Sequence, residues 1–511
     1  MGTLIGWAIK LAVVLLMIAT PLVGVWVGSS LAAYFNQRPQ MVVAAGALLF
    51  PVGPLLWEGF AAWRRGRRKA PRPRVLTFFD RLVLRTLVIN VAFLAVMLAR
   101  YPQQGFVALA TRGDWMLEGR HDPLSERVRR ELVVAAGGLE WLYKWTHENP
   151  YRRDDEGKKD EVAKKDEVGD TAAKKGERPA DTGGKAPPPP SDAGGREKAG
   201  EGAVKTGEGA VEAKAPAWPM PAVLHPIIQA MPPEAETSIE SVGRYIAEHE
   251  KDPVMRVKAI HDYVADRIAY DVAALEEYRA GRGVPREAAY AEPVFRNRKG
   301  VCAGYADLVR EIAKVTGDEV IFVPGDARTM GATVEGLGHA WNAAKVNGRW
   351  VLLDATWDAG SASDKEGFKK GYSSDYLFTP PEVFGVTHFP EDEVQQYRAR
   401  PISRSEFLRQ PLLRPSFYRY GLELVAPARS QVPVSGAIDV EVKNPRGAYV
   451  LLTWGASGET HETQCGEPSR SGRLHCALPT EGTFDLGFFV NDKREGSYEW
   501  VGGIEVTNRR P

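Results

Sequence analysis

A run of 27 residues without a charged side chain, Leu11 to Gln37, limits this chain more than any other feature. In hydrocarbon every backbone N–H and C=O must be bonded within its own segment, so the run predicts a membrane-spanning helix. A cleaved secretory signal is the rival reading. The length of the run, and a second apolar segment behind it, favour a span. That second segment, Pro39 to Trp57, has 19 uncharged residues, and Pro51 and Pro54 predict a kink in it. A third candidate, about Leu82 to Ala99, is interrupted by Arg85 and Asn90. It reads either as a span whose Arg85 snorkels toward one end or as an amphipathic helix in the interface.

The loops set an orientation. Between the second and third segments lie Arg64, Arg65, Arg67, Arg68, Lys69, Arg72 and Arg74, whereas only Arg38 lies between the first two. Basic loops stay cytoplasmic. With three spans, everything after Arg100 is predicted to lie outside the cytoplasm; with two, it stays inside.

Residues 1–100 are thus expected to be a membrane region and 101–151 a juxtamembrane helical segment. In the latter, Leu132, Leu139, Leu142 and Trp145 predict an amphipathic helix broken at Gly137 and Gly138, lying on the membrane or packing elsewhere. From Arg152 to Ala217 the composition changes. The segment has no aromatic residue, repeats KKDEV and GEGAV, and carries 14 basic and 15 acidic residues. Such a polyampholyte buries too little apolar surface to fold and is expected to be a disordered tether. Each basic block is matched by an acidic one, and the whole chain carries a net charge of only +1. Neither fact points to nucleic acid.

Chemistry concentrates beyond the tether. Cys302 precedes Tyr305, Leu308, Val309 and Ile312, a helical spacing, with Gly300 and Gly317 as breakers. The cysteine therefore falls at a helix N-terminus, where unpaired N–H groups favour a thiolate. His339 opens a strand, Asn347-Gly348 reads as a two-residue hairpin turn, and a second strand runs to Asp354. In that register residue numbers summing to 695 face each other. Asp354 then falls opposite Trp341, diagonal to His339, within reach of its imidazole. Cysteine, histidine and aspartate are the parts of an activated sulfur nucleophile. Each alone is more often structural, and Cys302 alone reads as a buried apolar residue.

GVCAGYADL, GHAWN and the D-x-T-W of Asp354 to Trp357 resemble the three motifs of the transglutaminase-like superfamily. Upstream, Ile260 to Asp271 (IHDYVADRIAYD) resembles the segment preceding the cysteine in that family. Downstream, Asp375 to Asp392 resembles its kyphoscoliosis-peptidase branch. The resemblance implies a papain-like α+β domain over 218–415, with Cys302, His339 and Asp354 as triad. It implies amide chemistry, by hydrolysis or by acyl transfer to an amine, or a scaffold that has kept the fold without the activity. Tyr305, Trp341, Asn342 and Trp357 are candidates for the substrate cleft, with core packing the alternative for the tryptophans, Trp350 included. His388 stands in the downstream segment and is not taken as a ligand. No HExxH or CxxC spacing appears, so no metal and no cofactor are expected.

Residues 416–511 read as short strands rich in Val, Leu and aromatics between turn residues, an all-β sandwich of immunoglobulin-like size. Cys465 and Cys476 are expected to lie close on a hairpin. They would form a disulfide that suits an oxidising compartment, or else stay two buried thiols. The chain is thus expected to be multidomain: transmembrane helices, a transglutaminase-like domain and a β-sandwich. Its expected setting is extracytoplasmic, and its expected partners are the bilayer and a protein or peptide substrate. By location, cell-envelope peptides are the first choice.

Overall fold

The computed structural model describes residues 2–67, 76–120, 122–146, 149–153, 216–329, 337–363, 366–456 and 463–509. All but the ends of the polyampholyte tether, and most of the basic loop, lie outside these residues.

Three helical stretches near the N-terminus are long and apolar enough to cross a membrane. Helix α1 spans Gly2–Tyr34. The second stretch is broken, as its prolines predict. Helix α2 (Pro39–Ala47) and helix α3 (Gly53–Gly66) flank a wide turn in which Phe50, just before Pro51, leaves helical geometry. Helix α4, Phe78–Arg100, starts from a Thr77–Asp80 capping box. Asn90 of α4 donates to the carbonyl of Leu49 at the break, 3.1 Å away. Arg85 does not snorkel alone: it pairs with Glu58 of α3, which also takes Arg65 (2.9 Å) and Arg81 (3.1 Å).

Helix α5 (Pro102–Arg112), α6 (Pro123–Gly137) and α7 (Glu140–Thr146) follow, the last two parted at the Gly137-Gly138 pair. They pack on protein. Tyr143 of α7 is buried with Phe106, Phe389 and Phe407. Buried Arg404 joins Glu140 of α7 to Asp326. Asp114 accepts from Arg129 and Arg409, each at 2.9 Å, and pairs with Arg429.

Beyond residue 216, Ser238 caps helix α8 (Ile239–His249), whose buried Ile239, Val242, Gly243 and Ile246 follow the helical period. Asp252 caps α9 (Pro253–Arg267) by accepting from Val254 and Met255 N–H. Helix α10 (Cys302–Thr316) ends at Gly317 with φ 79°, the left-handed cap that glycine takes without strain. It buries Tyr305, Leu308, Val309 and Ile312, each apolar side chain contributing roughly 1.5–3 kcal/mol.

Helix α10 packs on a five-stranded antiparallel sheet. Its strands are β1 (Val320–Ala327), β2 (Leu337–Val346), β3 (Arg349–Leu353), β4 (Leu377–Thr379) and β5 (His388–Pro390), in the order β4-β3-β2-β1-β5. The β2–β3 hairpin turns at Asn347 (φ 51°) and Gly348 (φ 76°) and pairs Asn342 with Leu353 and Ala343 with Leu352. That is the register in which paired numbers sum to 695.

Beyond it, a six-stranded sheet and a three-stranded sheet enclose one apolar core that includes Val440, Val450, Leu486 and Val501. Cys465 and Cys476 are joined, with Cα atoms 4.8 Å apart. The hairpin expected to carry them is absent. Thr463–Gln464 pairs with Tyr449–Ala456 in the larger sheet, whereas Arg473–Ala477 pairs with Ala437–Lys443 in the smaller. Cys476 alternates with exposed neighbours on a strand whose inner face meets the core, so its partner comes from the opposite sheet. The disulfide therefore staples the two layers.

Candidate active site

Each reactive side chain sits where its element fixes it. Cys302 is the first residue of α10, behind extended Val301, and is the free cysteine, 1% exposed. His339 lies on β2 opposite Gly325 of β1. Asp354 ends the hairpin and caps the short helix Ala355–Asp358: its Oδ1 accepts from Thr356 N–H (2.9 Å) and Trp357 N–H (3.2 Å). That leaves Oδ2 for His339 Nε2, 2.7 Å away. With Nε2 so engaged, Nδ1 is the ring nitrogen left for Cys302, which lines the same cavity. Burial opposes a charged imidazole, but Asp354 and Cys302 on either side push His339 up to about 10. Burial likewise opposes the Asp354 carboxylate, and the neighbouring imidazoles hold it well below the usual range.

A fourth group was not read from the sequence. His388 of β5 places Nε2 3.1 Å from the same Oδ2 of Asp354, while its Nδ1 lies 2.8 Å from Thr387 Oγ1. Strand β5 pairs with β1 and brings His388 opposite Ala327. It stacks on Phe384 with centroids 4.1 Å apart, and burial lowers its pKa to about 4, so it is neutral near pH 7. A histidine inside the apolar downstream segment was the available signal.

The donors of His339, Asp354 and His388 lie within 4.8 Å of one another. The two N···O separations, 2.7 and 3.1 Å, are those of N–H···O bonds. Ligands sharing one tetrahedral zinc stand roughly 3.3 Å apart, given metal–ligand bonds of about 2.0–2.2 Å. The trio is a hydrogen-bonded relay in form.

Cys302 and His339 open on a cavity of about 330 Å³, with Asp354 bonded to His339. Among the cleft candidates, Trp357 lines it. Trp341 lies behind His339 in the apolar layer with Val323, Leu352 and Phe384. Asn342 donates to the carbonyls of Ala306 (2.9 Å) and Ile321 (3.1 Å), tying α10 to the sheet. Tyr305 is buried and donates to Ile268 O, and Trp350 stacks on Tyr397. The other walls come from distant parts of the chain: Tyr151 just ahead of the tether, and Leu412, Arg414 and Trp500 from the C-terminal region. Tyr151 packs in one apolar cluster with Cys302 and lines the cavity beside it. Its neighbour Asn149 donates to Gly325 O at 2.5 Å, and Pro150 lies against Gly338.

Helix-borne thiol, hairpin-borne imidazole and carboxylate, and a following two-sheet module define a transglutaminase-like domain joined to an immunoglobulin-like one. The sequence model of the transglutaminase-like superfamily matches residues 240–355, and that of the KY-like, immunoglobulin-like domain matches residues 404–508. Among curated proteins the chain is similar to the kyphoscoliosis peptidases of Mus musculus and Homo sapiens, at 28% and 27% identity over 263 residues. The match covers 50% of this chain but only 38% and 39% of those relatives. Red sea bream transglutaminase, a solved structure, overlaps with 12% identity over 52% of this chain and 55% of its own, at a TM-score of 0.18, which carries no argument.

Proposed function

We propose that this chain is a membrane-anchored cysteine enzyme that acts on peptide or glutamine amides. The observation that carries the reading is that Cys302 and His339 line one cavity while Asp354 bonds His339 at 2.7 Å. Cys302 Sγ attacks the amide carbonyl, and the nitrogen leaves as the amine with a proton from His339. A thioester remains on Cys302. Water then releases an acid, as a peptidase would, or a primary amine forms a new amide, as a transglutaminase would; either acceptor gives up a proton to His339. Asp354 holds the imidazole in orientation throughout.

We further propose that 1–100 anchors the protein, that 152–217 tethers a catalytic domain of 218–415, and that 416–511 is a β-sandwich. A contact supports three crossings. Asn36, between the first two spans, donates to Thr483 and Glu505 at 3.2 Å, and Arg38 pairs with Glu481 at 3.1 Å. The first loop and the C-terminal region therefore share one side, and α4, whose 23 residues reach about 35 Å, separates that side from the basic loop. An extracytoplasmic site, suited to the disulfide and to cell-envelope peptides, follows from that orientation.

A second reading, a peptide-binding scaffold with a silent triad, draws on the near-complete burial of Cys302 beneath Tyr151. Incubating the full chain in detergent micelles with envelope peptides and an amine donor separates the alternatives by mass. Thioester on Cys302, cleaved peptide or amine adduct, each lost in Cys302→Ala, supports the enzyme. Intact peptide and unmodified protein over a broad pH range support the scaffold.

A further inference from the structure

The charge of the cavity walls has a single sign. Among the described residues lining it, none is Asp or Glu, whereas Arg279, Arg328 and Arg414 all contribute. Arg328 matters most. It is 4% exposed, and its guanidinium donates to three backbone carbonyls: Leu408 at 3.1 Å, Val386 at 2.9 Å and Gln410 at 3.2 Å. Among the described residues it has no carboxylate partner, and its Nε has no hydrogen bond. An arginine this deep normally meets an anion, because desolvating an unpaired charge is costly. Arg414 enters from the C-terminal region. The carboxylates nearest it, Asp375 and Glu499, favour its charge but are each bonded to Arg419, at 3.0 and 2.8 Å, and the Arg414 Nε has no hydrogen bond among the described residues. Tyr278, Trp357 and Trp500 add aromatic surface to the walls. The place beside Arg328, where no described carboxylate stands, is therefore what an incoming ligand would fill.

We propose that the cavity selects a carboxylate-bearing amide, whose carboxylate is held by the field of Arg328 and Arg414 while its carbonyl faces Cys302. The carboxylate belongs either to an acidic side chain or to a chain end. The orientation toward Cys302 rests on the nucleophile reading above; the carboxylate site itself does not.

Two measurements on the full chain in detergent test this. In the first, Cys302 is alkylated with iodoacetate and with its neutral isostere iodoacetamide. The iodoacetate-to-iodoacetamide rate ratio is expected to fall about tenfold in Arg414→Gln and in Arg328→Gln, the effect of losing one charge-assisted contact. An unchanged ratio in both variants overturns the proposal. Arg328 holds three carbonyls, so if its variant fails to fold, Arg414→Gln decides alone.

The second measurement is calorimetry on Cys302→Ala, which needs no nucleophile. N-acetylglutamate α-amide is expected to bind at least tenfold more tightly than N-acetylglutamine α-amide if the side-chain carboxylate is read. N-acetylalanylglycine is expected to exceed its C-terminal amide if the chain end is read. Equal binding within both pairs overturns the proposal. A wild type that alkylates with neither reagent counts against the nucleophile reading, and the calorimetry then decides the carboxylate site.

Discussion

His388 and His339 converge on one atom, Oδ2 of Asp354, at 3.1 and 2.7 Å. The two imidazoles do opposite work. His339, flanked by a carboxylate and a sulfur, favours its protonated form. His388, walled in by aromatic rings, favours its neutral form and anchors the carboxylate from behind.

Asp354→Asn should keep the hydrogen-bonding shape but remove the charge that stabilises the imidazolium. We expect amide turnover, or Cys302 alkylation where no substrate is known, to fall on the order of 10³–10⁴-fold with little loss of stability. The rate against pH, beside a melting curve, checks both halves.

His388→Phe should lower the same rate without touching the substrate, because Oδ2 of Asp354 loses one of its two anchors. His388→Gln, which can still donate, should recover most of it. A steric role alone predicts the reverse ranking, since Phe resembles the stacked ring better.

Stability should respond to pH on two separate arms. The pKa of His388 drops from about 6.5 to about 4 on folding. Its neutral form thus contributes stability that is complete above pH 6.5 and lost as pH falls through 4, about 3 kcal/mol in all. His339 is raised to about 10, so its contribution is complete below pH 6.5 and disappears as pH rises through 10. Melting temperature against pH should flatten on the acid arm in His388→Gln and on the alkaline arm in His339→Gln.

Gly304 lies within the first turn of the helix that Cys302 opens. A Cβ there would stand 2.4 Å from the Ala288 carbonyl oxygen and 2.6 Å from Val294 Cγ2. Gly304→Ala should cost about 1–3 kcal/mol and displace the sulfur, slowing alkylation as well. Gly371→Ala, whose Cβ meets only a Cα at 3.9 Å, should leave the alkylation rate at the wild-type value.

Replacing Cys465 and Cys476 together by alanine should cost about 3 kcal/mol, the loop-closure entropy for residues 11 apart. The loss should appear in the melting temperature, with a smaller effect on alkylation.

Local chemistry made much of this legible. A two-residue turn at Asn347-Gly348 admits essentially one register, so His339 and Asp354 could be aligned before any tertiary contact was known. Prolines at 51 and 54 forecast the broken second span. What stayed hidden depends on segments distant in sequence. His388 matters only because β5 pairs with β1. Glu58 lies one residue past the uncharged run, so the cluster of arginines around it had no visible centre. The strands of Cys465 and Cys476 look like a hairpin because adjacency is the default, and only the shared core assigns them to different sheets. Arg328 is one arginine among many until its three carbonyl partners surround it.

The position of Tyr151 bears on where the unit that forms the cavity begins. The family match starts at residue 240, yet Tyr151 lines the cavity beside Cys302, and Leu412, Arg414 and Trp500 line it too. A fragment cut after the tether would retain all three triad members and still present an altered pocket, open where Tyr151 had been. Its reactivity would describe a different entrance to the thiol, so the smallest faithful unit runs from before the tether to the last strand.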